Sequence, residues 1–196
     1  MPSPVQIMKI VIFNGSPRKD GNTAAILKGV AKNYKDKGAE VDYFDLFAMN
    51  FKDCSACMGC KKNDKCIQKD ELSPALDKIE KADAIVIGSP IYMSAETATT
   101  KALIDRFYSF LAPGAGPGQY ANRMPKGKKG VALFTCGNPQ GVEMFSPVTA
   151  RYENYFQRYA IEGKVMVVPS LNPGMNVMET PRGQKALEDI IHHISG

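Results

Sequence analysis

The chain has 196 residues, 44% of them apolar and 23% charged, which is the size and balance of one α/β domain and argues against disordered, collagen-like and coiled-coil classes. The net charge of +5 comes from 25 basic and 20 acidic residues spread along the chain, so it reads as a solvated surface and no nucleic-acid partner is expected. Tryptophan is absent and the two histidines, His192 and His193, are adjacent near the end, which leaves little material for a histidine-rich metal site or a His-based triad.

The predicted elements alternate. Ile7 to Phe13 is a short apolar run ending in a Gly/Ser/Pro cluster, as a buried parallel strand would be. Ala24, Leu27, Val30, Ala31 and Tyr34 then recur at helical spacing, with Gly38 as the stop. Val41 to Leu46 alternates acidic with apolar or aromatic residues, which suits an edge strand. Ala84 to Gly88 is a third strand, followed by a helix near Thr97 to Leu111 whose Leu103, Phe107 and Phe110 share one face. Pro113 to Gly118 lies in a flexible or turn-rich connection over 112–127. Val131 to Thr135 and Val165 to Val168 supply two more strands. Their helices are Pro147 to Tyr159, with Ser146 as N-cap and Pro147 at the first position, and Gln184 to Ile194. Five strands alternating with helices indicate a doubly wound parallel sheet with helices on both faces. No run of about 18 apolar residues could span a membrane. The first residues also lack a charged region followed by a long apolar one, so a cytoplasmic protein without membrane partners is expected.

Ligands bind such sheets at the carboxyl ends of the strands, and three loops there look specialised. The first, Gly15-Ser16-Pro17-Arg18-Lys19-Asp20-Gly21-Asn22-Thr23, offers hydroxyls at Ser16 and Thr23, the Asn22 amide, the Arg18 charge and the free N–H groups of a helix start, all suited to phosphate oxygens. It matches neither Walker A nor G-x-G-x-x-G, which argues against ATP chemistry and a Rossmann dinucleotide grip. The second loop holds Pro90, Ile91, Tyr92 and Met93, whose aromatic ring and thioether suit a planar heterocycle. The third holds Thr135, Cys136 and Gly137, where glycine admits close backbone approach.

With these loops and Lys101-Ala102-Leu103-Ile104-Asp105-Arg106 in order, the sequence resembles the NADPH-dependent FMN reductase family over essentially its whole length. The resemblance implies a flavodoxin-like five-stranded parallel sheet of order 2-1-3-4-5. It also puts Ser16, Arg18, Asn22 and Thr23 on the FMN phosphate, Pro90, Ile91, Tyr92 and Met93 along the ribityl chain and ring, and Thr135, Cys136 and Gly137 near the ring's far side. Asp105 and Arg106 read as braces of the helix or of a subunit interface. A homodimer or homotetramer is implied, with a flavin site completed by the neighbouring subunit.

Four of the five cysteines fall in Cys54-x2-Cys57-x2-Cys60-x5-Cys66, inside a cysteine-rich loop at 47–71 of a single domain spanning 1–196. In a reducing cytosol this crowding points to metal, cluster or redox ligands. Three thiolates at three-residue intervals can wrap one side of a cubane and the fourth can close it, although the last spacer and the following Ile67 depart from the ferredoxin run. A zinc site, a dithiol redox pair and cysteines retained without any metal remain alternatives. Within the family, a run in this loop resembles the iron-sulfur flavoproteins, which implies a [4Fe-4S] cluster on these four residues. Cys136 stands apart as a small buried or ring-contacting side chain.

The expected function is an FMN-dependent electron carrier that accepts from NAD(P)H or a ferredoxin and passes electrons to a small-molecule or protein acceptor. NAD(P)H would dock transiently at the flavin, which carries the chemistry with no catalytic side chain. Lys52, Lys61, Lys62 and Lys65 around the cysteine loop could attract an acidic carrier protein. Alternatives are a cluster-free NAD(P)H-dependent reductase of flavins, quinones or nitro compounds, and a non-catalytic metal- or redox-sensing protein.

Overall fold

Strand β1 (Lys9–Asn14) runs buried through the middle of the molecule in a computed structural model that describes residues 7–196. Residues 1–6, part of the stretch read for a leader, lie outside the described residues. Next come α1 (Asn22–Asp36), β2 (Glu40–Asp45), the one-turn α2 (Cys60–Asn63), α3 (Ser73–Lys81), β3 (Ala84–Tyr92), β4 (Ala95–Glu96) and α4 (Ala98–Arg106). The hairpin β5 (Leu111–Pro113) and β6 (Tyr120–Asn122) leads to β7 (Lys129–Thr135), α5 (Gly141–Met144), α6 (Ser146–Arg158), β8 (Glu162–Val168) and α7 (Pro181–Ser195). The parallel strands lie in the order β2-β1-β3-β7-β8, with β4 added antiparallel to β3. Counting only the parallel strands, this is the expected order 2-1-3-4-5. Among the described residues, no helix is long and apolar enough to cross a membrane.

Alternation along each central strand feeds two separate cores, because successive side chains of a strand face opposite sides of the sheet. Ile10, Ile12, Val86, Val131 and Leu133 pack with Ile26, Leu27 and Val30 of α1 and Ile190 and Ile194 of α7. Val11, Phe13, Ile85, Ile87 and Phe134 face the other way, onto Leu76 and Ile79 of α3, Leu103 of α4 and Tyr152 and Phe156 of α6.

Several local expectations are corrected. Ile7 is 57% exposed and the strand starts at Lys9. Ser146 is the first residue of α6 and not its cap: its hydroxyl donates to the Glu143 carbonyl at 2.9 Å. The connection over 112–127 contains the β5–β6 hairpin, with Leu111 paired to Asn122 and Pro113 to Tyr120. Helix α4 ends at Arg106 and tightens into a 3-10 turn over Phe107–Phe110.

The sharpest packing constraint lies where β1 leaves the sheet. Gly15 N–H donates to the Gly88 carbonyl at 2.8 Å, and a Cβ on Gly15 would fall 1.8 Å from Thr100 Oγ1. Overpacking of this kind costs about 1–3 kcal/mol. Gly15→Ala is therefore expected to lower the urea midpoint at unchanged slope, followed by far-UV circular dichroism; an unchanged midpoint would mean that Thr100 yields freely.

Candidate functional site

The three specialised loops meet in one cleft. Its walls are Ser16, Arg18, Gly21, Asn22 and Thr23 from the first loop, Pro90, Ile91 and Tyr92 from β3, Thr135, Cys136 and Gly137 after β7, and Leu171 and Pro173 after β8. Ten of the eleven site residues predicted on these loops are thus brought together. The cleft measures about 170 Å³, below the roughly 300–1,000 Å³ of enclosed ligand pockets, so it is a partial site with an open side.

Met93 is the exception. Strand β3 continues past Gly88 as far as Tyr92, and Met93 (φ 47°) and Ser94 (φ 64°) form the turn into β4. Two successive left-handed residues make the tight turn that suits a two-residue hairpin. It places Met93 outside the cleft wall, 98% exposed, beside a Tyr92 that is 45% exposed.

The floor of the cleft is the start of α1. Gly21 precedes the helix without a side-chain cap, and the first turn holds no acidic residue. In α4 and α7 the caps Thr97 and Thr180 accept from backbone N–H groups. The first turn of α1 therefore presents uncapped N–H donors and the positive end of its dipole where the loop residues converge. Thr23 Oγ1 and Thr135 Oγ1 lie 2.7 Å apart, so one hydroxyl donates to the other and the second keeps its proton for an acceptor in the cleft. The Ser16 hydroxyl is already used in its own turn, accepting from Arg18 N–H and donating to the Arg18 carbonyl, each at 3.2 Å. Asn22 Nδ2 donates to the Asn172 carbonyl at 3.2 Å, which ties the first loop to the one after β8. Burial pushes the Cys136 thiol up, keeping it a neutral, inert wall.

A buried polar network fixes the first loop against the second. Thr97 Oγ1 donates to the Gly15 carbonyl at 2.8 Å, and Thr97 N–H donates to Ser89 Oγ at 3.0 Å. Ser89, Thr97, Leu171 and Pro173 were missed in the sequence reading. Leu171 and Pro173 follow the last strand, and extending the carboxyl-edge rule to that strand would have found them.

The cysteine run forms a second centre. Cys54, Cys57, Cys60 and Cys66 line one cavity together with Met58, Tyr108 and Arg106. Ala56 (φ 52°) and Met58 (φ 57°) take left-handed backbone without being glycine, so the loop curls tightly between the first three cysteines. Among the described residues, no three His, Cys, Asp or Glu side chains converge closely enough to hold a single metal ion. Cys57 is exposed, and its thiol is held below the usual range chiefly by backbone hydrogen bonding from Gly59 and then by Ser55. Two larger hollows flank the run, one under Lys65–Lys69 and one between Asn50–Lys52 and Gln68–Pro74. Neither adjoins the cleft residues.

Lys61 was read as a free surface charge and is not one. Its ammonium donates to the Tyr108 carbonyl at 2.7 Å and the Leu111 carbonyl at 2.5 Å, and it sits 3.6 Å from the Tyr108 ring centre. Arg123 donates to the carbonyls of Cys60 (3.0 Å), Ser109 (2.6 Å) and Leu111 (3.1 Å) and pairs with Asp64. Lys52, Lys62 and Lys65 are exposed. Arg106, read as a brace, is buried against the cysteine loop. Its NH1 donates to Asp70 Oδ2 at 2.6 Å and to the Lys52 carbonyl at 2.9 Å.

The sequence profile of the NADPH-dependent FMN reductase family matches residues 8–147. The chain belongs to this family. Its relatives include an iron-sulfur flavoprotein of Archaeoglobus fulgidus, 42% identical over 99 residues, covering 50% of this chain and 48% of that protein. An iron-sulfur flavoprotein of Methanocaldococcus jannaschii is 34% identical over 68% of this chain and 64% of its own length. One from Clostridioides difficile is 33% identical over 71% and 59%. The chain thus spans about half to two thirds of the length of these relatives. Among solved structures, an NAD(P)H:quinone oxidoreductase from Methanothermobacter marburgensis superposes with a TM-score of 0.67 at 16% identity, covering 96% of this chain and 95% of that one. An FMN-dependent NADH-azoreductase from Bacillus anthracis, solved with FMN, gives 0.65 at 14% identity over 95% and 98%. At these identities the superpositions speak for the fold alone, and they agree with the family assignment.

The Arg106–Asp70 pair gives a pH test. Burial alone would push the Asp70 carboxyl up, but the hydrogen bond and charge of Arg106, helped by Lys52 N–H and Ser73, outweigh it and hold the group below its usual range. A carboxylate depressed in the folded state contributes stability above its unfolded pKa and loses that contribution as pH falls through the folded one. The urea midpoint is expected to drop as pH falls through and below the ordinary carboxylate range, less steeply in Asp70→Asn. Identical acid profiles for the two proteins would show that the pair is not thermodynamically coupled to folding.

Proposed function

We propose that this chain is an FMN-dependent redox protein of the iron-sulfur flavoprotein kind. It takes electrons from NAD(P)H or a ferredoxin and passes them to a small-molecule or protein acceptor. The observation that carries this reading is the single cleft in which three carboxyl-edge loops surround an uncapped helix start.

The donor set suits FMN. Arg18, Asn22, the spare proton of the Thr23–Thr135 pair and the N–H groups of α1 would hold the dianionic phosphate. Ser16 shapes that turn and can add a bond by leaving the Arg18 carbonyl. Pro90, Ile91 and Tyr92 would line the ribityl chain and ring, with Cys136 and Gly137 opposite. When bound, FMN supplies hydride acceptance and single-electron release, so the protein's part is to bind, orient and shield. The open side fits a ring projecting from the cleft. Tyr92, Met93, Val142 and Met144 are exposed apolar side chains that a second copy in a homodimer or homotetramer would bury, and NAD(P)H would dock transiently over the same ring.

Cys54, Cys57, Cys60 and Cys66 would hold a [4Fe-4S] cluster, whose chemistry is single-electron transfer. The wall they share offers soft sulfur donors. A cubane takes one thiolate per iron at four spread corners, so its ligands need not converge as the ligands of one zinc ion must. That favours the cluster over zinc for this loop.

Two measurements test the reading. Ser16→Ala with Thr23→Ala removes hydroxyls worth about 1.5–3 kcal/mol each to a charged partner, so FMN affinity is expected to fall at least about tenfold in fluorescence titrations. Unchanged affinity would move the phosphate elsewhere. After anaerobic purification, about four iron and four sulfide per chain are expected, lost on Cys60→Ser. A flavin-loaded protein without iron would instead be a cluster-free reductase, and a protein taking neither flavin nor iron would be a non-catalytic binder.

A further inference from the structure

Arg106 stands at a core-facing position of α4, between Leu103 and Phe107, and its side chain is 0% exposed. A buried guanidinium is expensive unless each edge is matched, and an apolar side chain would serve a bracing role at lower cost. One edge is matched by Asp70 and by the Lys52 carbonyl. On another edge Nε points at Cys66 Sγ at 3.2 Å. Cys66 is the cysteine set apart by the long spacer, and Arg106 lines the same cavity as all four. A neutral thiol is a weak acceptor, whereas a thiolate or metal-bound sulfur accepts a charge-assisted bond. Of these acceptors, a metal-bound sulfur is the one this guanidinium matches best.

We propose that Arg106 is a positioning residue for the cysteine centre, holding the Cys66 sulfur in the shared cavity and raising the reduction potential of the cluster bound there, with Asp70 as the counter-charge that limits the rise. The inference rests on the cluster reading above. One-electron reduction, with dithionite as the reductant in the test, adds one unit of negative charge to the centre and makes or breaks no bond. The Arg106 N–H and positive charge stabilise that added charge, and hydrogen bonds to cluster sulfurs and local net charge are the established means of shifting such potentials. Asp70 opposes it. Deleting one partner should therefore lower the potential, and neutralising the other should raise it.

The experiment is an EPR-monitored redox titration of the anaerobically purified, iron-loaded protein and its Arg106→Gln, Arg106→Lys and Asp70→Asn variants, with circular dichroism and iron content recorded for each. Arg106→Gln is expected to favour the oxidised centre about tenfold, about 59 mV downward for a one-electron couple. Asp70→Asn should shift the couple upward, and Arg106→Lys should lie between wild type and Arg106→Gln. A residue that only braces the fold would change iron content or melting without shifts of opposite sign. If Arg106→Gln fails to fold or to keep iron, the upward shift in Asp70→Asn decides the matter, and its absence overturns the proposal. Potentials unchanged across folded, iron-loaded variants overturn it while leaving the cluster reading intact. Wild-type protein without iron overturns the cluster reading, and this inference falls with it.

Discussion

A guanidinium shut away from water must have its donors matched, and around Arg106 the cysteine loop does the matching. Asp70, the Lys52 carbonyl and Cys66 come from both ends of a long excursion between β2 and α3, and all three close on one side chain of α4. The excursion has little core of its own. Leu46 and Leu72 bury at its ends, while Met58 and Ile67 are 45% and 46% exposed. Polar matching to Arg106 takes the place of apolar packing, and it anchors the loop to the helix that follows the cleft-lining strand β3.

The cleft depends on a related economy. Parallel strands deliver their loops to one edge, but an edge alone is a row of independent loops. Here Thr97 joins Gly15 to Ser89, Thr23 joins Thr135, and Asn22 reaches Asn172. The Thr97–Gly15, Thr23–Thr135 and Asn22–Asn172 bonds each join segments distant in sequence, and the last two reach past intervening strands, since β3 separates β1 from β7 and β8 lies further out. Such cross-ties hold a site in place before any ligand arrives, which lowers the ordering cost of binding.

Much of this was legible in the sequence because parallel strands read as short apolar runs and their loops as Gly, Ser, Pro and Asn clusters. The five strands and ten cleft residues follow from those signals, while the order of the sheet came from the family resemblance. Helix α3 was missed because its nine residues, Ser73–Lys81, carry only Ala75, Leu76 and Ile79 inward, too few for a periodic signal. The reach of β3 was missed because Pro90 reads as a terminator, yet the strand there has only the two-residue β4 beside Ile91 and Tyr92, and proline is tolerated near such an edge. The partners of Arg106 were hidden for another reason. Cys66 and Asp70 lie 40 and 36 residues away, and an arginine at a core-facing helix position signals that it needs partners without naming them.

The hairpin β5–β6 meets the cysteine loop through Lys61 and Arg123, and most of the acceptors are main-chain carbonyls, those of Cys60, Tyr108, Ser109 and Leu111. A carbonyl oxygen survives any substitution of the side chain it belongs to. The clasp therefore divides the burden of inheritance unevenly: two cationic positions must be kept, while Ser109 and Leu111 are free to drift as far as packing permits. Divergent descendants of this chain could exchange the hairpin's surface without loosening its grip on the loop beneath.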